Sequence, residues 1–171
     1  KLNYGSSGNG ASTHLGFAQF NVAAGLEMVH IPYKGSPPAI QAMLNGETCC
    51  QFAQLQTVLG QHKAGTLRLL GVSTSKRVPL LPEVPAIGES LPGFESVTWY
   101  GILGPKGIDP AIASKFNAAI KTVLEDKEIV AKLAGIGNAV RYETVDQFRA
   151  TIKKDRAQWA EVVKKSGATV D

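Results

Sequence analysis

Along the first half of the chain, short apolar runs alternate with stretches of helical spacing. Leu2-Asn3-Tyr4-Gly5-Ser6 predicts a strand that ends in the turn Ser6-Ser7-Gly8-Asn9-Gly10. Leu15, Ala18, Phe20 and Val22 give the next stretch an apolar face, so a helix is expected from about Ala11 to Ala24, with Gly25 as its stop. Met28 to Tyr33 reads as a second strand. Gly35-Ser36-Pro37-Pro38 opens a second helix, because proline needs no helical hydrogen bond in a first turn. Ile40, Met43 and Leu44 form its apolar stripe, and Asn45-Gly46 ends it. Thr48 to Phe52 is a third strand, Leu55 to Lys63 a third helix, and Leu67 to Val72 a fourth strand. This alternation predicts an α/β fold with a mainly parallel sheet flanked by helices.

The rhythm changes after Ser75. Pro79, Pro82, Pro85 and Pro92 exclude a long regular element, so residues 76–96 are expected to form an ordered connection. Val97 to Leu103 reads as a strand. Asp109-Pro110 caps a helix reaching about Glu125, and a short helix follows near Ile129 to Leu133. Val140-Arg141-Tyr142 reads as a brief strand. Thr144 caps a last helix, Val145 to Lys165, with Phe148, Ile152, Trp159 and Val163 on its apolar face. One good strand and amphipathic helices do not make a closed layer by themselves. The expected organisation is therefore one lobe over 1–96 and, over 97–171, a part of another.

Composition narrows the class. Of the 171 residues, 44% are hydrophobic and 19% charged, which is a globular balance rather than a disordered one. No apolar run approaches the roughly 20 residues that span a bilayer. The two cysteines, Cys49 and Cys50, are neighbours and cannot cross-link distant segments. A net charge of +4 raises the question of nucleic acid. The charges are mixed in sign, as in Lys153-Lys154-Asp155-Arg156, and are not gathered on one basic face, so no nucleic-acid partner is expected.

The candidate chemistry lies in the first turn. Strand, Gly/Ser turn and helix N-terminus together make an anion cradle: amides converge there and the helix dipole adds positive charge. Gly8 and Gly10 permit close approach, and Ser6, Ser7, Asn9 and Thr13 supply neutral polar partners, which suits a carboxylate. Phosphate signatures are missing: there is no P-loop lysine and no Gly-x-Gly-x-x-Gly order. Tyr33 and Lys34 occupy the equivalent turn after the second strand, and Gln51 to Gln54 the turn after the third. In an open parallel sheet all three lie at one rim, where ligands gather. His14 reads as a capping or packing residue. His14, His30 and His62 lack metal-ligand spacing, so no metal is expected. The Gly-x-Ser-x-Gly elbow of a nucleophile is absent, and binding is expected rather than catalysis, with no cofactor.

The ordered segments resemble a known family, the tripartite tricarboxylate transporter receptors, also called Bug or TctC-like solute-binding proteins. The resemblance rests on Tyr4-Gly5-Ser6-Ser7-Gly8-Asn9-Gly10 with Thr13-His14-Leu15, on His30-Ile31-Pro32-Tyr33-Lys34-Gly35-Ser36, and on Ala64 to Ser73. It continues through Lys76-Arg77 with Leu81 to Glu89, through Trp99-Tyr100-Gly101-Ile102-Leu103-Gly104-Pro105, and to Trp159 in the last helix. It implies a two-lobed fold of the periplasmic-binding-protein type and a periplasmic location. It also implies capture of di- or tricarboxylates, amino acids or aromatic acids for delivery to a membrane permease, without chemistry. On this resemblance Ser6, Ser7, Gly8, Asn9 and Gly10 are ligand contacts, with Thr13, Tyr33 and Lys34 beside them.

Three departures accompany it, the first being Ala86 where the family has Thr. Cys49 stands where the family usually has Asp. The chain also starts where the family's second lobe begins, so weak ligand affinity and self-association are expected if the first lobe is absent. An enzyme or nucleotide-binding domain using the same cradle, or a ligand-sensing regulatory domain, are the alternative readings.

Overall fold

A computed structural model describes residues 2–169. The chain divides into two compact units. One holds the residues up to Thr98 together with those from Trp159 onward; the other is Trp99–Gln158.

The first unit is built on a three-stranded parallel sheet of order β2-β1-β3, with β1 Asn3–Ser6, β2 Val29–Pro32 and β3 Cys50–Gln51. Tyr4 pairs with His30 on one side and Cys50 on the other, and Gly5 pairs with Ile31 and Gln51. Helices α1 Ser12–Ala24, α2 Ser36–Leu44 and α3 Leu55–Lys63 each follow one strand. In this β-α-β-α-β-α order every strand ends, and every helix begins, at the same edge of the sheet. Glycines stop the helices. Gly25 follows α1 in the left-handed region at φ 64°, a conformation that costs glycine no clash.

Two groups of side chains form the core. Phe17, Phe20, Phe52 and Phe94 meet largely edge to face, with Phe17 stacked on Tyr4 at 4.0 Å between ring centres. Leu59 of α3 packs on Leu81 and Val84 from the proline-rich segment. That segment is the ordered connection its prolines predict. Val72 bridges Ala86, with the Val72 amide bonded to the Pro85 carbonyl at 2.9 Å. Arg77 grips the Glu89 carboxylate with two nitrogens, each at 2.8 Å, and also donates to the Pro82 carbonyl at 3.0 Å. Glu89 in turn accepts from the Ala86 amide. The Arg77 hydrogen bonds, followed by that amide, hold the Glu89 carboxyl down to about 2. Arg77→Ala is therefore expected to raise Glu89 toward the ordinary carboxylate range, with the Ala86 amide still holding it somewhat below, as read by NMR titration of its side chain. An unchanged titration would mean that the Arg77 contact does not persist in solution.

The second unit contains α4 Pro110–Glu125 and α5 Lys127–Gly135, together with most of α6 Val145–Ser166. Trp99 meets Phe148 edge-on at 5.0 Å, and its indole nitrogen donates to Asp155 at 2.5 Å. Asn117 joins the chain before α6 by donating to the Glu143 carbonyl and accepting from Tyr142. Yet no residue of Trp99–Gln158 is buried. Tyr100, Ile102 and Leu103 are each more than two-thirds exposed, and Phe116 of α4 is 57% exposed.

Three expected strands differ from the sequence reading. Segments 67–72, 97–103 and 140–142 form no ladder among the described residues, apart from the single Val72 bridge. The third strand is reduced to Cys50–Gln51. A strand exists only through a neighbour that takes up its amides and carbonyls. These segments have strand-like composition, but beyond the Val72 bridge no paired strand is formed with them among the described residues.

Candidate functional site

The turn after β1 is held by a network of short hydrogen bonds. Thr13 Oγ1 accepts from the Ser7 amide at 3.0 Å and lies 2.8 Å from Ser7 Oγ. Ser6 Oγ accepts from the Gly8 amide at 3.1 Å, and the Gly10 amide donates to His14 Nδ1 at 3.1 Å. The Ala11 amide closes the turn on the Gly8 carbonyl. Gly8 has φ 132° and Gly10 φ 72°, both in the region that favours glycine. A side chain at Gly8 would also meet the Tyr33 carbonyl at 3.4 Å.

Neighbouring turns are tied to this one. The Tyr33 amide donates to the Ser6 carbonyl at 3.0 Å, and the Gly35 amide to the Ser7 carbonyl at 3.1 Å. Gln54 Nε2, from the turn after β3, donates to Ser12 Oγ at 3.3 Å. The three turns expected at one rim are thus in direct contact.

The starts of the helices distinguish this rim. Helix α1 is preceded by Ala11, α2 by Gly35 and α3 by Gln54; none receives a side-chain cap and none has an acidic residue in its first turn. In the second unit the opposite holds. Asp109 caps α4, Asp126 caps α5, and Thr144 and Gln147 exchange bonds at the start of α6. The amides of Ser12, Thr13 and His14 have no acceptor among the described residues. Uncapped first turns present unpaired N–H groups and a positive dipole end. Three such starts lie at one sheet edge, and none of them has a carboxylate in its own first turn.

The expected site residues take different stations. Ser7, Gly8, Asn9 and Gly10 are half-buried at the turn, while Ser6 and Thr13 are buried beneath it, with their hydroxyls committed to the turn's own amides. Tyr33 joins the rim through its backbone. Burial, then the Glu47 carboxylate, push its phenol pKa up, so it stays neutral at any ordinary pH. Lys34 is exposed and makes no hydrogen bond or ion pair among the described residues. Sequence reasoning missed His30, whose Nε2 lies 2.6 Å from Ser6 Oγ; Gln54, expected at the rim, joins its turn to Ser12. The signal for His30 is its parallel register with Tyr4, which sequence spacing alone does not give.

Comparison with known proteins adds the family. A sequence model described as the tripartite tricarboxylate transporter family receptor, TctC, matches residues 1–168. The chain is 34% identical to protein BugT of Bordetella pertussis over 160 residues, which is 93% of this chain and 49% of BugT. Among solved structures it is similar to a Rhodopseudomonas palustris protein determined with adipate, with TM-score 0.90 and 28% identity over 99% of this chain and 57% of that one. It is also similar to MatC from Rhodopseudomonas palustris with bound malate, with TM-score 0.82 and 25% identity over 95% of this chain and 56% of that one. The chain spans about half the length of these relatives.

Proposed function

The chain belongs to the TctC family of tripartite tricarboxylate transporter receptors, and from that premise we propose that its first unit is the anion-holding half of a receptor for small carboxylates. The family is one of periplasmic binding proteins rather than enzymes. No helix among the described residues is long and apolar enough to cross a membrane.

The observation that carries the reading is the contrast in capping. Every helix of the second unit begins with a polar side chain on its own amides, while the three helices that start at the sheet rim begin bare. A carboxylate seated there takes the place that a capping Asp would fill. Ser7, Gly8, Asn9 and Gly10 are its nearest neighbours, and Lys34 supplies a cation on the approach. Ser6 and Thr13 act beneath them, and Tyr33 holds the adjoining turn. The dicarboxylates in the structures of two relatives, adipate and malate, support this ligand class.

Residues 1–96 act as one lobe. The second unit, Trp99–Gln158, is the returning part of another, completed by further chain as in relatives about twice this length; the end of α6 from Trp159, expected with it, groups with the first unit. The unburied apolar side chains of the second unit support that division. Ligand held between the lobes stabilises their closed arrangement by its differential affinity, and the closed form is what a membrane permease recognises.

Calorimetric titration of the receptor with adipate, malate, citrate, benzoate and ATP tests this. Saturable binding of at least one carboxylate, with no turnover and no ATP binding, is the expected result. Binding of ATP alone, or product formation, contradicts it.

A further inference from the structure

Two imidazoles, His14 buried and His30 half-buried, lie directly under the cradle. His14 comes from the first turn of α1 and His30 from β2. Their rings are stacked 3.7 Å apart and 5° from parallel. Tyr4 stacks on the His30 ring at 5.0 Å, and Phe17 on Tyr4, so the pair ends an aromatic column rising from the core. Each imidazole finishes on the turn. His14 Nδ1 accepts from the Gly10 amide, while His30 Nε2 meets Ser6 Oγ, the atom that holds the Gly8 amide. The two positive-φ corners of the turn are therefore secured through histidines.

The Gly10 bond defines a protonation state. A backbone N–H only donates, so His14 Nδ1 carries a lone pair and its proton sits on Nε2. A proton at Nδ1 would set one N–H against another and release Gly10. Burial opposes the first proton, and a second would set two cations face to face 3.7 Å apart, so the stack strongly resists double protonation. The surroundings agree. Burial, then the neighbouring His14, push His30 down to about 4, and burial also lowers His14. Both rings line a cavity of about 540 Å³ that Tyr4, Glu27 and Lys165 also face, with Asn9 and Asn21. Tyr4, raised to about 12 by burial, is neutral, which leaves Glu27 and Lys165 as the charged groups facing the pair among the described residues.

The geometry points to His14 and His30 as positioning residues that keep the Ser6–Gly10 turn in its anion-receiving shape only while both rings are neutral. The consequence for ligand rests on the carboxylate reading above. Its sign is unusual. Protonating a histidine beside an anion ordinarily strengthens binding, whereas here it dismantles the turn and weakens it. Both rings are depressed bases, so the unfolded chain takes up protons before the folded one does as pH falls. The folded turn therefore loses stability from about 6.5, the ordinary histidine value, down to about 4.

The test has two arms. Nitrogen NMR of the imidazoles in this chain is expected to show His14 as the Nε2–H tautomer at pH 7, with the Gly10 amide resonance moving at the same midpoint as the rings. Adipate affinity of the receptor is then compared at pH 7 and pH 4.5 with that of the variant His14→Asn, His30→Gln. This variant keeps an acceptor for Gly10 and a polar atom for Ser6 but cannot titrate. Adipate protonation affects both proteins alike, so with His30 at about 4 the wild type is expected to lose about 1.3-fold more affinity than the variant at pH 4.5, and about fourfold more when the comparison is extended to pH 3.5. A His14 carrying its proton on Nδ1 at pH 7, or an identical pH dependence in the two proteins, overturns the inference. If adipate does not bind at pH 7, the receptor reading fails for that ligand, and the coupled Gly10 and imidazole titration still decides whether the pair positions the turn.

Discussion

Replacing Ala11 with aspartate is expected to make the protein more stable and unable to hold a carboxylate. Ala11 precedes α1 with φ −66° and ψ 156°, an extended conformation suited to a capping side chain. A carboxylate there reaches the unpaired amides of the first helical turn. The gain from such a cap is about 1 kcal/mol, which for a chain of this length raises Tm by roughly 2–4 °C. The same carboxylate fills the place of the ligand and repels it, so affinity for adipate is expected to fall about 100-fold, or about 2.7 kcal/mol. Ala11→Asn separates the two causes, because it caps without charge; its stability gain should be similar and its binding loss nearer tenfold. Thermal unfolding and calorimetry on the same samples check both signs. An aspartate variant that binds adipate like the wild type would remove this helix start from the site.

The second large effect depends on context. Ile102 and Leu103 are 68% and 69% exposed. In this chain Ile102→Asp is expected to change stability by no more than about 0.5 kcal/mol, as at other exposed positions. In a receptor of the relatives' full length, where the second unit is proposed to be completed by further chain, the same substitution places a charge in a core and should cost about 3 kcal/mol or more. Urea unfolding of both forms, with and without the substitution, measures the difference. Equal small effects in the two contexts would mean that this face stays open, and would contradict the proposed division into lobes.

Much of this architecture is legible in residue order because its signals are local. Leu55 to Lys63 emerges as α3, and Asp109-Pro110 opens α4, because helical spacing and caps need only near neighbours. The Ser/Gly turn was legible for the same reason: Gly8 and Gly10 announce the positive φ that they adopt. Segments 67–72 and 97–103 look like strands by composition, but a strand is a property of a pair, and among the described residues only Val72 forms a bridge, to Ala86. The histidine stack was hidden because its two rings lie sixteen positions apart in sequence and meet only through the parallel register of Tyr4 with His30. The bare helix starts were written in the sequence at Ala11, Gly35 and Gln54. Their meaning came from the shared rim and from contrast with the capped helices of the second unit.

The central claim is that the amides at the start of α1, together with the turn before it, receive the ligand's carboxylate. Backbone amide NMR of the isotopically labelled receptor during titration with adipate tests it most directly. The account predicts saturable shifts centred on Ser7 to Gly10 and on the Ser12, Thr13 and His14 amides, with smaller ones at Gly35 and Leu55. Saturable shifts confined to other residues, with these amides unmoved, would contradict it.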